Sequence, residues 1–168
     1  GLGALVVDYP KIKYFFGKVT MYPDYNKMGR DLILGFLSYF FPNKENWIEP
    51  KNPLKGHHDI SFFIKKIENL EYKLAYKELI KSLRDLECSL PPLIAAYMNL
   101  SLTMRSFGTV LNTNFGQVEE TAILISIEDI YSEKKDAGVV AFSYMFVEFV
   151  NFLFNERVVL YFLEQGIF

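Results

Sequence analysis

The spacing of apolar and polar positions changes period several times along the 168 residues. Tyr14–Tyr22 is rich in aromatic and β-branched residues and closes at Pro23, which predicts a strand. Alternation sets Phe16, Lys18, Thr20 and Tyr22 on one face of it, and Phe15, Gly17, Val19 and Met21 on the other. From Asp24, a residue suited to capping, the period becomes helical. Met28, Leu32, Phe36, Leu37 and Phe40 form a stripe, and Pro42 stops it near Phe41. Asn43–Gly56, with its prolines, glycine and polar residues, reads as a loop.

The short apolar run Ile60–Ile64 fits a strand or a helix. Tyr72–Leu86 reads as a helix with charges on its outer face, and Pro91-Pro92 opens a shorter helix over Leu93–Leu100. Met104–Asn112 and Val118–Ile127 read as strands around the turn-forming run Asn112–Gln117, and Thr121, Ile123, Ile125 and Ile127 alternate onto one buried face. A turn this short joins antiparallel neighbours, because a parallel crossover needs far more chain. The class is α/β (α+β), a mixed sheet with flanking helices. Gly1–Asp8 reads as the end of an amphipathic helix stopped by Pro10, which predicts that part of the same domain precedes Gly1.

Composition narrows the function. Apolar residues make up 51% and the formal net charge is -2, so the chain forms a core. Lys and Arg read as scattered, with Lys65–Lys66 the densest short patch. That excludes a dedicated nucleic-acid binder. The lone cysteine, Cys88, permits no internal disulfide and suits a reducing compartment. No Cys/His spacing suits zinc. Asn99-Leu100-Ser101 matches a glycosylation acceptor, and chance is the better account of it.

Three clusters carry possible chemistry. His57-His58-Asp59 is the obvious one, but adjacent His side chains diverge on either a strand or a helix. A solvated loop after Gly56 is the plainer account. Glu119-Glu120 offers a carboxylate base, against the plainer account of a polar strand entry. Cys88 has no His nearby in sequence and reads as a spectator thiol. Lys18, Thr20 and Tyr22 share a strand face and would line a cleft only if the sheet flanks one.

Two longer runs are more specific. The first is Lys13–Met28. The second is Leu90–Ile130, which contains Pro-Pro-Leu-Ile-Ala-Ala-Tyr-Met-Asn-Leu, Phe-Gly-Thr-Val-Leu-Asn-Thr-Asn-Phe-Gly and Val-Glu-Glu-Thr-Ala-Ile-Leu-Ile. Together they resemble the C-terminal half of GNAT-type N-acyltransferases of the ornithine-lipid and glycine-lipid kind, often labelled "hemolysin", in the branch found in Bacteroidetes. The resemblance runs from about Gly1 to Lys135 and is weak over Asn43–Glu87.

It implies transfer of a long-chain, 3-hydroxylated acyl group from acyl-acyl carrier protein to the α-amine of an amino acid in aminolipid synthesis. The phosphopantetheine thioester is the donor, and neither a bound cofactor nor a metal is needed. It places the family's acidic and Arg-bearing strand and its donor loop upstream of Gly1, so catalytic residues are expected there and the chain alone is expected to be inactive. Lys18, Thr20 and Tyr22 become candidates for substrate binding. Tyr97, Gly108, Asn114 and Phe115 match recurring family positions; Tyr97, Asn114 and Phe115 join the substrate-shaping set. The implied partners are acyl carrier protein and an amino-acid acceptor, with no nucleic acid. The implied location is cytoplasmic, with contact to the inner membrane left open.

The resemblance stops near Asp136, where composition shifts: nine of the 28 aromatic residues fall in the last 32 positions. Residues 1–136 thus read as part of the acyltransferase domain and 137–168 as an apolar, helical tail. The 18 residues of Ala137–Phe154 approach the length of a membrane span, although Glu148 opposes insertion. A membrane anchor, a packed terminal helix and an unselected extension all fit. A non-catalytic, membrane-associated interaction protein is the alternative function, and the tail is its support.

Overall fold

The computed structural model describes residues 13–44, 48–113 and 116–130. Three strands and four helices follow in the order β1 (Tyr14–Met21), α1 (Lys27–Phe40), α2 (Ser61–Ile67), α3 (Tyr72–Asp85), α4 (Pro92–Met98), β2 (Arg105–Asn112) and β3 (Val118–Ser126). The strands form one sheet in the order β1-β3-β2, and both pairings are antiparallel. The expected fold class stands, with the two last strands as neighbours. The tail 137–168 lies outside the described residues.

Local chemistry explains most boundaries. Tyr22 to Tyr25 closes a turn, with Pro23 preset at its second position and Tyr25 N–H donating to Tyr22 O at 3.1 Å. The cap of α1 is Asn26 rather than Asp24: its side-chain oxygen accepts from Gly29 N at 3.0 Å, satisfying a donor the first turn leaves open. Leu32, Phe36 and Leu37 of the expected stripe are buried, while Met28 and Phe40 pack at its edge. The ambiguous run after Asp59 is helix α2. Asp59 Oδ1 accepts from Ser61 N at 2.9 Å, a local bond that turns the chain into the helix. Helix α3 buries Ala75, Leu79 and Leu83, which recur every four residues.

The core lies between one sheet face and the helices. Val19 and Met21 of β1 share the core face of the sheet with Ile123 and Ile125 of β3, and Leu32, Ile33 and Phe36 of α1 belong to the same core. Thr121 shares that face and bonds Thr109 side chain to side chain at 2.7 Å. The opposite face of β3 is buried too, at Glu120 and Leu124. Strict alternation therefore underestimates how much of the central strand is covered.

One glycine is required by geometry. Between Ser106 and Thr109 strand β2 carries one more residue than β3, a bulge. Gly108 sits in it at φ +94°, and a Cβ there would also lie 3.1 Å from Pro50 Cγ. The bulge lets the loop before α2 approach the outer edge of β2, where Leu54 N–H donates to Thr109 O at 2.7 Å. The loop thus covers an edge that would otherwise expose unpaired backbone groups.

Candidate functional site

The first turn of α1 and the first residues of β3 bring ionised side chains into the interior. Arg30 and Asp31 are 1% and 3% exposed, and Glu119 and Glu120 are 4% and 5% exposed. Buried charges persist only when paired. Here they form a chain. Lys27 Nζ lies 3.2 Å from Glu119 Oε1, and Arg30 Nη1 lies 3.2 Å from Glu119 Oε2. Arg30 Nη2 lies 3.0 Å from Asp31 Oδ1, and Asp31 Oδ2 lies 2.8 Å from His58 Nδ1. The Arg30 contacts are close enough for ion pairing, but their angles do not make directed hydrogen bonds. Arg30 Nε has no hydrogen-bond partner among the described residues. Arg30 thus balances two carboxylates by charge rather than by a saturated set of hydrogen bonds.

Glu120, next in sequence, points to the other sheet face, as alternation requires. Its Oε2 meets Lys18 Nζ at 2.9 Å and its Oε1 accepts from Asn112 Nδ2 at 3.2 Å. The reading of Glu119-Glu120 as a polar strand entry holds for their place in β3 but did not foresee their burial. Both carboxylates are buried because α1 supplies cations on one face and β1 on the other.

The loop 56–60 is corrected as well. His57 and His58 are exposed, as expected of a loop, yet the loop is tied to a buried group. The backbone N–H groups of His57 and His58 each donate to Asp31 Oδ2 at 2.8 Å, and the His58 ring contacts the same oxygen. Burial alone would raise the Asp31 carboxyl. The side-chain bond from His58, the two backbone bonds and the Arg30 charge outweigh it and hold Asp31 below the ordinary carboxylate range. An ionised Asp31 can only accept, so Nδ1 of His58 carries the proton toward it. That tautomer leaves the Nε2 lone pair on a side chain that is 40% exposed. A carboxylate that fixes an imidazole in this way leaves its outer nitrogen able to take a proton.

The candidates named from the sequence fall in different places. Lys18 pairs with Glu120, and Thr20 stands opposite Glu120 in the β1–β3 register. Tyr22 has left the strand and is 64% exposed, so it does not join them. Tyr97 is buried on α4, where desolvation pushes its hydroxyl up. Asn114 and Phe115 lie outside the described residues. Sequence reasoning missed Lys27, Arg30 and Asp31. The available signal was an Arg-Asp pair set among apolar residues near the start of α1. Among the described residues, no group of His, Cys, Asp and Glu is arranged to hold a metal ion.

Comparison with known proteins adds the next constraint. The chain is 47% identical over 146 residues to a glycine N(alpha)-acyltransferase of Phocaeicola vulgatus, a match covering 84% of this chain and 44% of that protein. It is 46% identical over 139 residues to a glycine N(alpha)-acyltransferase of Bacteroides thetaiotaomicron, covering 80% of this chain and 40% of that protein. The chain is similar to two acyltransferases. It spans less than half the length of either relative it matches. No family model matches, and no solved structure matches.

Proposed function

We propose that this chain is part of an N-acyltransferase that moves a long-chain acyl group onto the amine of glycine. The observation that carries the reading is the similarity to two glycine N(alpha)-acyltransferases across most of the chain. The resemblance to the GNAT-type aminolipid enzymes adds acyl-acyl carrier protein as donor and an acylated amino-acid lipid as product.

In this reaction the amine nitrogen attacks the thioester carbonyl, the N–C bond forms, and the C–S bond breaks to release a thiol. A proton must leave the attacking nitrogen. His58, held by Asp31, is the described group best arranged to accept it, through Nε2. The resemblance assigns the family's acidic and Arg-bearing strand, and the donor loop, to residues preceding Gly1. On that assignment the 168-residue chain by itself does not turn over, and detectable turnover by it would refute the assignment.

The test is lipid analysis of cells expressing the full gene, beside the His58→Ala and His58→Gln variants. N-acylglycine should accumulate with the parent protein. The purified variants should lose kcat, with the glycine KM little changed. Absence of any N-acylated amino acid from the parent would sink the whole reading. Full kcat in both variants would sink only the role given to His58. The alternative, a non-catalytic membrane-associated protein, rests on the tail. That tail lies outside the described residues, among which no helix is long and apolar enough to cross a membrane.

A further inference from the structure

The basic residues that look scattered in sequence are gathered by helix α3. Lys73, Lys77, Lys81 and Arg84 recur at three- and four-residue steps, which sets them on one side of the helix, and all four are exposed. None pairs with an acid among the described residues. The reading of Lys65–Lys66 as no more than the densest short patch is also revised. Lys66 reaches across from α2 to bond Glu78 of α3. Phe62 stands one turn before Lys66, and Leu74 and Lys81 stand one turn to either side of Glu78. The two helices thus share one continuous outer surface. It holds six cations, Lys65, Lys66, Lys73, Lys77, Lys81 and Arg84, of which Lys66 is paired with Glu78, while the exposed acids Glu71 and Asp85 stand at the two ends of α3.

Two large apolar side chains project from this basic surface: Phe62 is 58% exposed and Leu74 is 52% exposed. Elsewhere along α3, Tyr76, Lys77, Ile80, Lys81 and Arg84 line a shallow groove of about 360 Å³. Its floor is apolar and three cations rim it.

We propose that the outer face of α2 and α3 docks the protein on an anionic bilayer surface. The cations meet the lipid phosphates, and the groove offers a single headgroup three positive neighbours. Phe62 and Leu74 enter the boundary between headgroups and acyl chains, while the Lys stems lie along apolar surface with their ammonium groups in water. Protruding apolar side chains favour a soft surface that yields to them over a rigid acidic protein face, which would need matching hollows. The proposal stands on these exposed side chains and is independent of which amine is acylated.

Sedimentation of the full chain with vesicles tests it, using phosphatidylcholine alone and phosphatidylcholine mixed equally with phosphatidylglycerol, at low and high salt. Each basic residue near an anionic surface is worth about fivefold in partitioning. The K77E/K81E double variant should therefore lower binding to the anionic vesicles by about twentyfold or more, and salt should weaken the parent in the same direction. F62S/L74S should weaken binding at both salt concentrations. Circular dichroism establishes that both variants keep the parent's helix content, as exposed substitutions should. Three results would each overturn the proposal. One is equal binding to the two vesicle types, which assigns membrane affinity to apolar segments elsewhere. Another is unchanged anionic binding in K77E/K81E. The third is no vesicle binding by the parent together with charge-dependent capture of purified acyl carrier protein, which assigns the surface to an acidic protein.

Discussion

Helices α1 and α3 are both 14 residues long, yet they treat charge in opposite ways. Near its start α1 carries Lys27, Arg30 and Asp31, and two of the three are withdrawn from water into a chain of ion pairs that links Asp31 through Arg30 to Glu119, with the His58 ring bonded to Asp31 at its end. Helix α3 carries twice as many charged residues and leaves its cation row on the surface without partners among the described residues. The difference lies in what each helix packs against. The first turn of α1 meets a strand whose own residues include a buried carboxylate, so its cations have somewhere to go. Helix α3 meets the core through Ala75, Leu79 and Leu83, with Tyr72, Tyr76 and Ile80 packed at its edge, and its cation row needs no protein partner. Charge in α1 therefore acts on the folded state and the chemistry of the loop 56–60. Charge in α3 acts on whatever approaches from outside.

The largest effect that would break this contrast is expected at Arg30. Arg30→Ala removes the cation that separates Asp31 from Glu119 and leaves both carboxylates buried with their charge poorly compensated. Removing one partner of a buried pair costs about 3–5 kcal/mol. The midpoint of urea unfolding should fall accordingly, with the slope unchanged. A loss below about 1 kcal/mol, the scale of exposed pairs, would mean that Arg30 behaves like a surface residue and that the contrast is false.

The next effect is pH-dependent and belongs to Asp31. Its folded-state pKa is lowered, so between the folded and unfolded values the unfolded chain binds more protons. The contribution is therefore present above the unfolded value, about 3.9, and is lost as pH falls through the lower folded one. Asp31→Asn should cost about 2–3 kcal/mol at neutral pH, the scale of hydrogen bonds to a charged group. The gap between variant and parent should narrow as the solution is acidified below the unfolded value. Unfolding curves at several pH values measure this. A gap that stays constant down to acid pH would show that Asp31 acts by shape and not by charge.

These two residues also mark where the sequence stopped being legible. The strands, the long helices and their order could be read because each follows from a local period bounded by Pro, Gly or a capping side chain. Met104–Asn112 and Val118–Ile127 became β2 and β3 with shifts of about one residue at their ends. The site was not legible in the same way. Lys27, Arg30, Asp31, His58 and Glu119 are drawn from three separate segments, and only the antiparallel pairing of β1 with β3, together with α1 laid on it, brings them into contact. Adjacent Glu119 and Glu120 look like one polar patch in sequence but serve opposite faces of the sheet. The row on α3 is the reverse case. Its period is in the sequence, but a count of nearest neighbours hides a row spaced by whole helical turns.

The smallest effect tests the other half of the contrast. Lys77 and Lys81 are exposed and take no acid partner among the described residues, so their ammonium groups lose little water on folding. Alanine has a helix propensity at least as good as lysine, and the two differ by only a few tenths of a kcal/mol. Relieving repulsion within the row Lys73, Lys77, Lys81 and Arg84 adds a small stabilising contribution of the same order, because like charges one turn apart disfavour the helix. The paired substitution Lys77→Ala/Lys81→Ala should therefore leave stability within about 0.5 kcal/mol of the parent, with any shift toward greater stability. Thermal and urea unfolding of the double variant measure this, and added salt should shrink the difference because the repulsion between exposed groups is screened. A loss above about 1 kcal/mol would place these lysines in the fold's own ion-pair network, as Arg30 is. The cation row of α3 would then be part of what holds the helices together, and the separation between a charge network that stabilises the interior and a charged face that meets the outside would collapse.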